Sequence, residues 1–287
     1  MRYKAIEIQS MTYSVRLLCH VLSVSCSGYY TWCNRLESSQ AIANRQLVTA
    51  MDAIHRAVHF SYGSPRMHAE LVSQGFICGV NRVSRLMRQA GIIARRTIRF
   101  RSLTKAGKRE PAAPNILDRQ FMVGKPNRVW ASDITYIPTG EGHLYLAVVI
   151  DLYSRQVVGW AMTSRLGSDL VVSALAQAVK HRIVKKGLIH HSDRDGLYSC
   201  SAYKHFLSVH SMIRSMSRKG NCWDNACVES FFGSLKNEMV SFEKFKTRAE
   251  AQQKIFEWIE VFYNRIRRHS TLGQLSPVDF EKKLTYA

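Results

Sequence analysis

No run among the 287 residues approaches the eighteen or so uninterrupted apolar positions that a membrane span needs. Met1-Arg2-Tyr3-Lys4 opens a mixed stretch without a secretory signal's apolar core, so a cytoplasmic protein with no membrane partner is expected. The seven cysteines include no Cys-x-x-Cys pair, and no His or Cys stands at structural-zinc spacing beside the first three. Reduced, mostly buried thiols are therefore expected rather than a zinc ribbon or a disulfide framework. There is no internal repeat, no low-complexity tract and no sustained heptad pattern. Acid is scarce too: 21 Asp and Glu stand against 41 Lys and Arg, a net charge of +20. Between Arg82 and Arg109 lie ten basic residues and no acid, interleaved with Ile92, Ile93, Ile98, Phe100 and Leu103. A basic surface of that size attracts phosphate backbones by releasing their counterions, and the apolar residues within it favour an interaction arm over a solvated tail.

What is present is an ordinary packed composition, 46% apolar, in a chain long enough for two domains. Val15, Leu18, Cys19 and Leu22 recur at helical spacing, and Gly28-Tyr29-Tyr30-Thr31-Trp32 reads as a second, small aromatic helix. Arg45 to Phe60 is another helical run, after which Ser64 can cap and Pro65 can begin a helix ending near Gly75. In the next expected helix, Arg82 to Ala90, the residues Val83, Leu86, Met87 and Ala90 fall on one side. Arg82, Arg85, Arg88 and Gln89 fall on the other, the layout of a helix-turn-helix recognition element. An amphipathic surface helix with solvated arginines has the same pattern. The turn from Gly75 to Asn81 also exceeds the three or four residues of the standard motif.

Pro111-Ala112-Ala113-Pro114 marks a linker, and beyond it the period changes from helical to alternating. Arg128 to Ile137, Leu144 to Asp151 and Gln156 to Met162 read as an antiparallel meander. A helix from Ser168 to Lys185, a strand Gly187 to His191, a helix Ser201 to Val209, a strand Met212 to Ser217 and a helix Asp224 to Val240 follow. Thr247 to Tyr263 is the last expected helix. This order is that of an α/β ribonuclease H-like core preceded by an all-α, helix-turn-helix-like region. The expected domains are 1–110 (helical and basic, with the helix-turn-helix-like part at 45–95), a linker 111–124, the catalytic core 125–240 and a helical extension 241–287.

Three acids stand out by their placement: Asp133 in mid-strand, Asp193 after a strand end, and Glu229 on a later helix. Thirty-five residues separate Asp193 from Glu229, and Lys236 lies seven beyond. Phosphodiester chemistry needs an activated nucleophile and neutralised charge on the leaving oxygen, which two divalent ions about 4 Å apart supply together. Hard Mg²⁺ favours a few carboxylates while keeping water and substrate oxygens as its other ligands. Asn225, Glu229, Gly233 and Lys236 share one helical stripe, suited to close approach of metal and phosphate backbone. Other acids have plainer readings. Asp224 is expected to cap its helix, Asp151 to pair with Arg155 or hold a turn, and Asp195 to be a solvated turn residue. Glu238 lies half a turn from Glu229 and is discounted. Of His190 and His191, one alternates into the sheet core.

Together these segments resemble the DDE transposases of bacterial insertion sequences. The resemblance is carried by Trp130 to Tyr136, Tyr145 to Trp160, His191-Ser192-Asp193-Arg194 and Ser215 to Ala226. It continues through Glu229-Ser230-Phe231-Phe232, Tyr263-Asn264-Arg265, Arg268-His269-Ser270 and Ser276-Pro277. The chain is similar, from roughly Ser14 to Phe280, to the downstream reading-frame product (OrfB) of the insertion-sequence-three family. The resemblance implies a retroviral-integrase-like core, two Mg²⁺ or Mn²⁺ ions held by Asp133, Asp193 and Glu229, and cutting and joining of DNA at element ends. It implies no covalent protein–DNA intermediate: water, then a freed 3′-hydroxyl, attacks the phosphate in line. Lys236 is the implied contact to terminal DNA; Asn225, Arg82, Arg85, Arg88, Gln89, Arg95 and Arg96 are further expected DNA contacts. The expected partners are double-stranded element and target DNA, a homo-oligomer on that DNA and an upstream-frame product, with the protein associated with the nucleoid. One departure from the family pattern follows Arg194. Asp195-Gly196-Leu197-Tyr198 stands where the family has Gly-Ser-Gln-Tyr, adding a negative charge beside Asp193 and removing a polar side chain. The alternatives are a catalytically inactive DNA-binding remnant, which would bind DNA with a steep salt slope and never cut it, and a nuclease acting on RNA–DNA hybrids.

Overall fold

The computed structural model describes residues 1–95, 113–219 and 221–285. Arg96 and most of the basic arm therefore lie outside the described residues. Two compact units emerge, Met1–Ala50 and Met51–Ala287, the division falling within α4 (Ser39–Ala57). In the first unit, α1 (Arg2–Gln9), α2 (Val15–Val21) and α3 (Cys26–Cys33) close around Ile6, Cys19 and Tyr29. Ser14 and Ser25 start α2 and α3 by accepting hydrogen bonds from the amides of Leu17 and Gly28. The aromatic helix expected from Tyr29 and Trp32 is α3, whose two rings stack at 6.1 Å between centroids.

In the second unit, α5 (Ser64–Ser73) and α6 (Val80–Gln89) form the expected helical hairpin. Gly63 rather than Ser64 occupies the cap position, with Pro65 in the first turn. Helix α6 begins two residues earlier than Arg82, at Val80. Its buried face is Val83, Leu86 and Met87; Arg85, Arg88 and Gln89 are exposed, while Arg82 is half-buried.

The sheet has the order β3-β2-β1-β4-β5, built from β1 (Val129–Thr139), β2 (Gly142–Asp151), β3 (Val157–Thr163), β4 (Ile189–Ser192) and β5 (Ile213–Met216). The first three strands form the expected antiparallel meander, and β4 and β5 run parallel to β1. Helix α7 (Ser168–His181) supplies the crossover and packs on β3 and β2 through Leu170, Val171, Ala174, Leu175 and Ala178. It stops at His181, short of the expected Lys185, because Arg182 turns extended and pairs with Glu281 at 2.7 Å. Helix α8 (Ser201–Val209) joins the same core layer through Tyr203 and Leu207. Gly159 permits this layer's closeness, since a Cβ there would come within 2.7 Å of the Ala178 Cβ.

Helix α9 (Ala226–Glu238) packs against β1. Phe231 on α9 stacks edge-on against Trp258 and Tyr263 of the later segment. The expected helix from Thr247 to Tyr263 is α10 (Arg248–Glu257) continued by a π-helical stretch, Trp258–Tyr263. The wider turn buries Trp258, Ile259, Phe262 and Tyr263 together. A last helix, α11 (Pro277–Thr285), was not expected from the periodicity, although Ser276 accepts from the Asp279 amide at 3.2 Å ahead of Pro277.

Candidate active site

Backbone register brings two of the three acids together. Strand β1 lies parallel to β4 with Ser132 opposite Ser192, and Asp133 and Asp193 are the next residue on each. Parallel neighbours lie about 4.8 Å apart, so both carboxylates arise at the carboxyl end of β4, where open α/β sheets bind ligands. Strand alternation separates the roles along β1. Trp130 packs, and Ile134 is packed against, the layer formed with α7, while Asp133 points to the opposite face. Glu229, exposed one turn into α9, supplies the third acid.

The electrostatics agree with one shared site. Burial pushes the Asp133 carboxyl well above the usual carboxylate range, and the Asp193, Glu229 and Asp195 charges push the same way. Burial and the Asp193 charge likewise raise Glu229. Lys236 faces the same group: burial lowers its ammonium while the Asp133 charge opposes that shift. Its Nζ lies 5.6 Å from the Tyr136 ring centroid. A Cβ added at Gly233, between Glu229 and Lys236 on the stripe, would meet nothing within 4 Å.

Among the described residues no group of three or more His, Cys, Asp or Glu side chains, this trio included, stands close enough together to hold a metal ion. Like charges this close repel, and the carboxyls turn to local donors instead. Asp133 Oδ1 accepts from the Ile134 amide at 2.7 Å, and Asp193 Oδ1 from the Asp195 amide at 2.9 Å. Carboxylate oxygens are nevertheless the donor type that a hard divalent cation favours.

Several side chains hold this arrangement in place. His190 and His191 are both fully buried, not one of the two. His190 shares hydrogen bonds with the hydroxyls of Ser132 (2.7 Å) and Tyr203 (2.8 Å), and His191 with those of Ser215 (2.9 Å) and Ser217 (3.2 Å). They tie β4 to β1, α8 and β5. Asp224 is not the expected helix cap. It is a buried hub accepting from Arg218 Nη2 (2.9 Å), Arg119 Nε (2.9 Å) and Asn115 Nδ2 (3.0 Å), and those cations hold its carboxyl far below the usual range. Asn225, expected on the DNA side, is buried, and its amide donates to the Ser132 carbonyl at 3.2 Å, next to Asp133. Its Nδ2 thus ties β1 to the start of α9, while its buried Oδ1 has no hydrogen-bond partner among the described residues.

Asp151 holds a turn rather than pairing with Arg155. It accepts from the amides of Asn127 (2.7 Å) and Tyr153 (3.0 Å), and burial lifts it to about 6. Asp195 caps a 3₁₀ turn, Gly196–Ser199, by accepting from the Leu197 amide at 2.9 Å. Glu238, as discounted, is far from this chemistry and pairs with Arg267. Arg95 is folded inward, its guanidinium 4.0 Å from the Phe242 ring centroid and 4.9 Å from that of Phe60. Tyr198 is a residue the sequence reading passed over: it is wholly buried, and the Asp133 and Asp193 charges raise its phenol further after burial. Its sequence signal was its match to the Tyr that ends the family's Gly-Ser-Gln-Tyr pattern, in a segment where only the preceding residues were weighed.

Family models described as "Integrase core domain" match residues 124–222 and 229–284, and one described as "HTH-like domain" matches 42–100. The transposase InsF of insertion sequence IS3A from Escherichia coli K12 is 41% identical over 286 residues, 99% of each chain. The 31 kDa protein of insertion element IS600 from Shigella sonnei is 41% identical over 266 residues, 93% of this chain and 98% of that one. Among solved structures, the catalytic core domain of BIV integrase aligns with a TM-score of 0.42 and 14% identity, covering 56% of this chain and 99% of that one. With near-full-length identity of 41% to named transposases, and integrase-core and helix-turn-helix models falling on the sheet and the helical hairpin, the chain belongs to the transposase family of IS3-type insertion sequences, DNA transposases with an integrase-type core.

Proposed function

We propose that Asp133, Asp193 and Glu229 are the catalytic carboxylates of this transposase and hold Mg²⁺ or Mn²⁺ while DNA ends are cut and joined. The observation that carries the reading is the placement of Asp133 and Asp193 as successive residues beyond the paired Ser132 and Ser192, with Glu229 close enough for its charge to raise Asp133. Divalent ions bound there, two in this reading, supply charge neutralisation at the reacting phosphate and a more acidic nucleophile.

The chain's own residues do the rest. Asn225 fixes the spacing of β1 and the start of α9, so Asp133 and Glu229 keep a common focus. Lys236, kept partly desolvated on the Glu229 stripe, meets terminal phosphate as a point charge. The empty space over Gly233 admits the backbone between them. Exposed Arg85, Arg88 and Gln89 on α6 engage duplex DNA, with half-buried Arg82 at their edge; Arg95, whose guanidinium stacks on Phe242, and Arg96, which lies outside the described residues, are further contacts in this reading. The active form is an oligomer on DNA, working with an upstream-frame product.

The test is cleavage, with the upstream-frame product present, of labelled duplexes carrying the inverted repeats that flank this reading frame. Wild-type protein should nick and join them only with Mg²⁺ or Mn²⁺, and Asp193→Asn should lose at least about 10²-fold of that rate, as removal of one preorganised electrostatic group does elsewhere. Unchanged cutting by Asp193→Asn, or none by the wild type, would refute the assignment.

A further inference from the structure

We infer that the ion cluster joining α5 to the far end of α9 is a positioning joint that sets which phosphate is cut relative to the DNA held by the helical hairpin. The inference rests on the proposed reading, in which α9 carries a catalytic carboxylate and the hairpin binds DNA.

Glu238, the last residue of α9, is buried with Arg267 against it. Arg267 donates to both Glu238 oxygens, through Nε at 2.8 Å and Nη2 at 2.7 Å, and Nη2 also donates to Ser234 Oγ at 3.0 Å. Arg66 of α5 reaches the same carboxylate at 3.5 Å. The next residue, Arg268, turns to α5: its Nε donates to Glu70 at 2.6 Å and its Nη2 to Ser73 Oγ at 2.6 Å. Its amide donates to Tyr62 Oη at 2.8 Å, and that hydroxyl donates to the Ile266 carbonyl at 3.3 Å. Adjacent arginines thus grip α9 and α5 from one short segment.

A buried ion cluster adds little net stability over a packed apolar one, since desolvation offsets attraction, but it tolerates few geometries. Glu238 lies nine residues along α9 from Glu229, a rigid span of about 13 Å. A hairpin locked to Glu238 is therefore locked to the catalytic helix. Loosening the joint should blur the cut position before it abolishes cutting or binding.

The test changes only the hairpin side, leaving Glu238 paired with Arg267. Full-length Arg66→Met/Glu70→Gln protein is compared with wild type and with the charge-conserving Arg66→Lys/Glu70→Asp version. On the labelled inverted-repeat duplexes with Mg²⁺, the ratio of in-register to displaced cuts should fall about tenfold, equivalent to about 1.4 kcal/mol, while duplex affinity stays within about twofold. The Lys/Asp version should restore the register. In hydrogen exchange, the amides of α5 and of the C-terminal turn of α9 should lose protection together in the Met/Gln protein, while those of β1 keep theirs. A cut position unchanged despite slower cutting, or α5 loosening while α9 stays protected, overturns the joint. If wild type cuts nothing, the catalytic reading fails, and the exchange result decides the joint independently.

Discussion

At the scale of single residues, His190 shows how burial near the site is linked to pH. Its imidazole is wholly enclosed, and burial holds its pKa at about 3, against an ordinary value of about 6.5. A depressed folded-state value means the unfolded chain takes up the proton first. The contribution of a neutral His190 is therefore complete above pH 6.5 and is lost as pH falls towards 3, at about 1.4 kcal/mol per pH unit within that window. Asp133 and Glu229, raised instead, act with the opposite sign, their contribution fading as pH rises through the carboxylate range. Comparison of variants isolates the histidine: urea unfolding of wild type and His190→Gln should diverge in pH slope between pH 7 and pH 5, the variant being flatter. Parallel slopes would contradict the argument. Asp195 needs the same residue-level reading. The sequence shows only an added negative charge beside Asp193, whereas in the structure the Asp195 carboxylate caps a turn and its amide holds Asp193. Only the cap uses the Asp195 side chain; the amide that holds Asp193 is backbone, and the added charge raises Asp133.

At the scale of elements, what the sequence made legible follows contact range. The β1 to β3 meander, α7 and the α6 stripe carry long runs of one period, and their existence and buried faces read directly from it. That Asp133 lies in a strand, Asp193 just past a strand end and Glu229 on a helix was legible because strand ends and helix stripes are local properties. Asp224 was misread as a cap because two of its partners, Asn115 and Arg119, lie 109 and 105 residues away, and its bond to nearby Arg218 runs to a residue ahead of the helix rather than to the helix's own amides. Asn225 was misplaced because a helix wheel cannot say that its stripe begins under β1. Helix α1 has almost no one-sided pattern, and α11 announces itself only through Ser276 and Pro277. Gly159 gives the element-scale prediction. A side chain there must displace the Ala174 carbonyl and Ala178, so Gly159→Val should destabilise the second unit by about 1–3 kcal/mol. Thermal unfolding measures this, and a melting point equal to wild type would show that α7 lies less tightly on β3 than the structure has it.

At the scale of the whole molecule, the second unit combines a hairpin with exposed arginines, a sheet that brings acids to one strand edge, and a C-terminal segment whose arginines grip both. The large excess of positive charge suits a DNA partner, whereas near Asp133 the chain gathers negative charge, which the proposed cation would offset together with Lys236. The account's central claim is thus that Asp133, Asp193 and Glu229 form one cation site and that Asp195 is not part of it. Calorimetric titration of full-length protein with Mn²⁺ measures this most directly, in wild type, Asp133→Asn, Asp193→Asn, Glu229→Gln and Asp195→Asn. The account predicts that each of the first three variants loses at least about tenfold in Mn²⁺ affinity, no less than the loss of an outer-shell partner costs, while Asp195→Asn stays within about twofold of wild type. Wild-type affinity in any of the three variants, or a loss in Asp195→Asn as large as in Asp193→Asn, would contradict it.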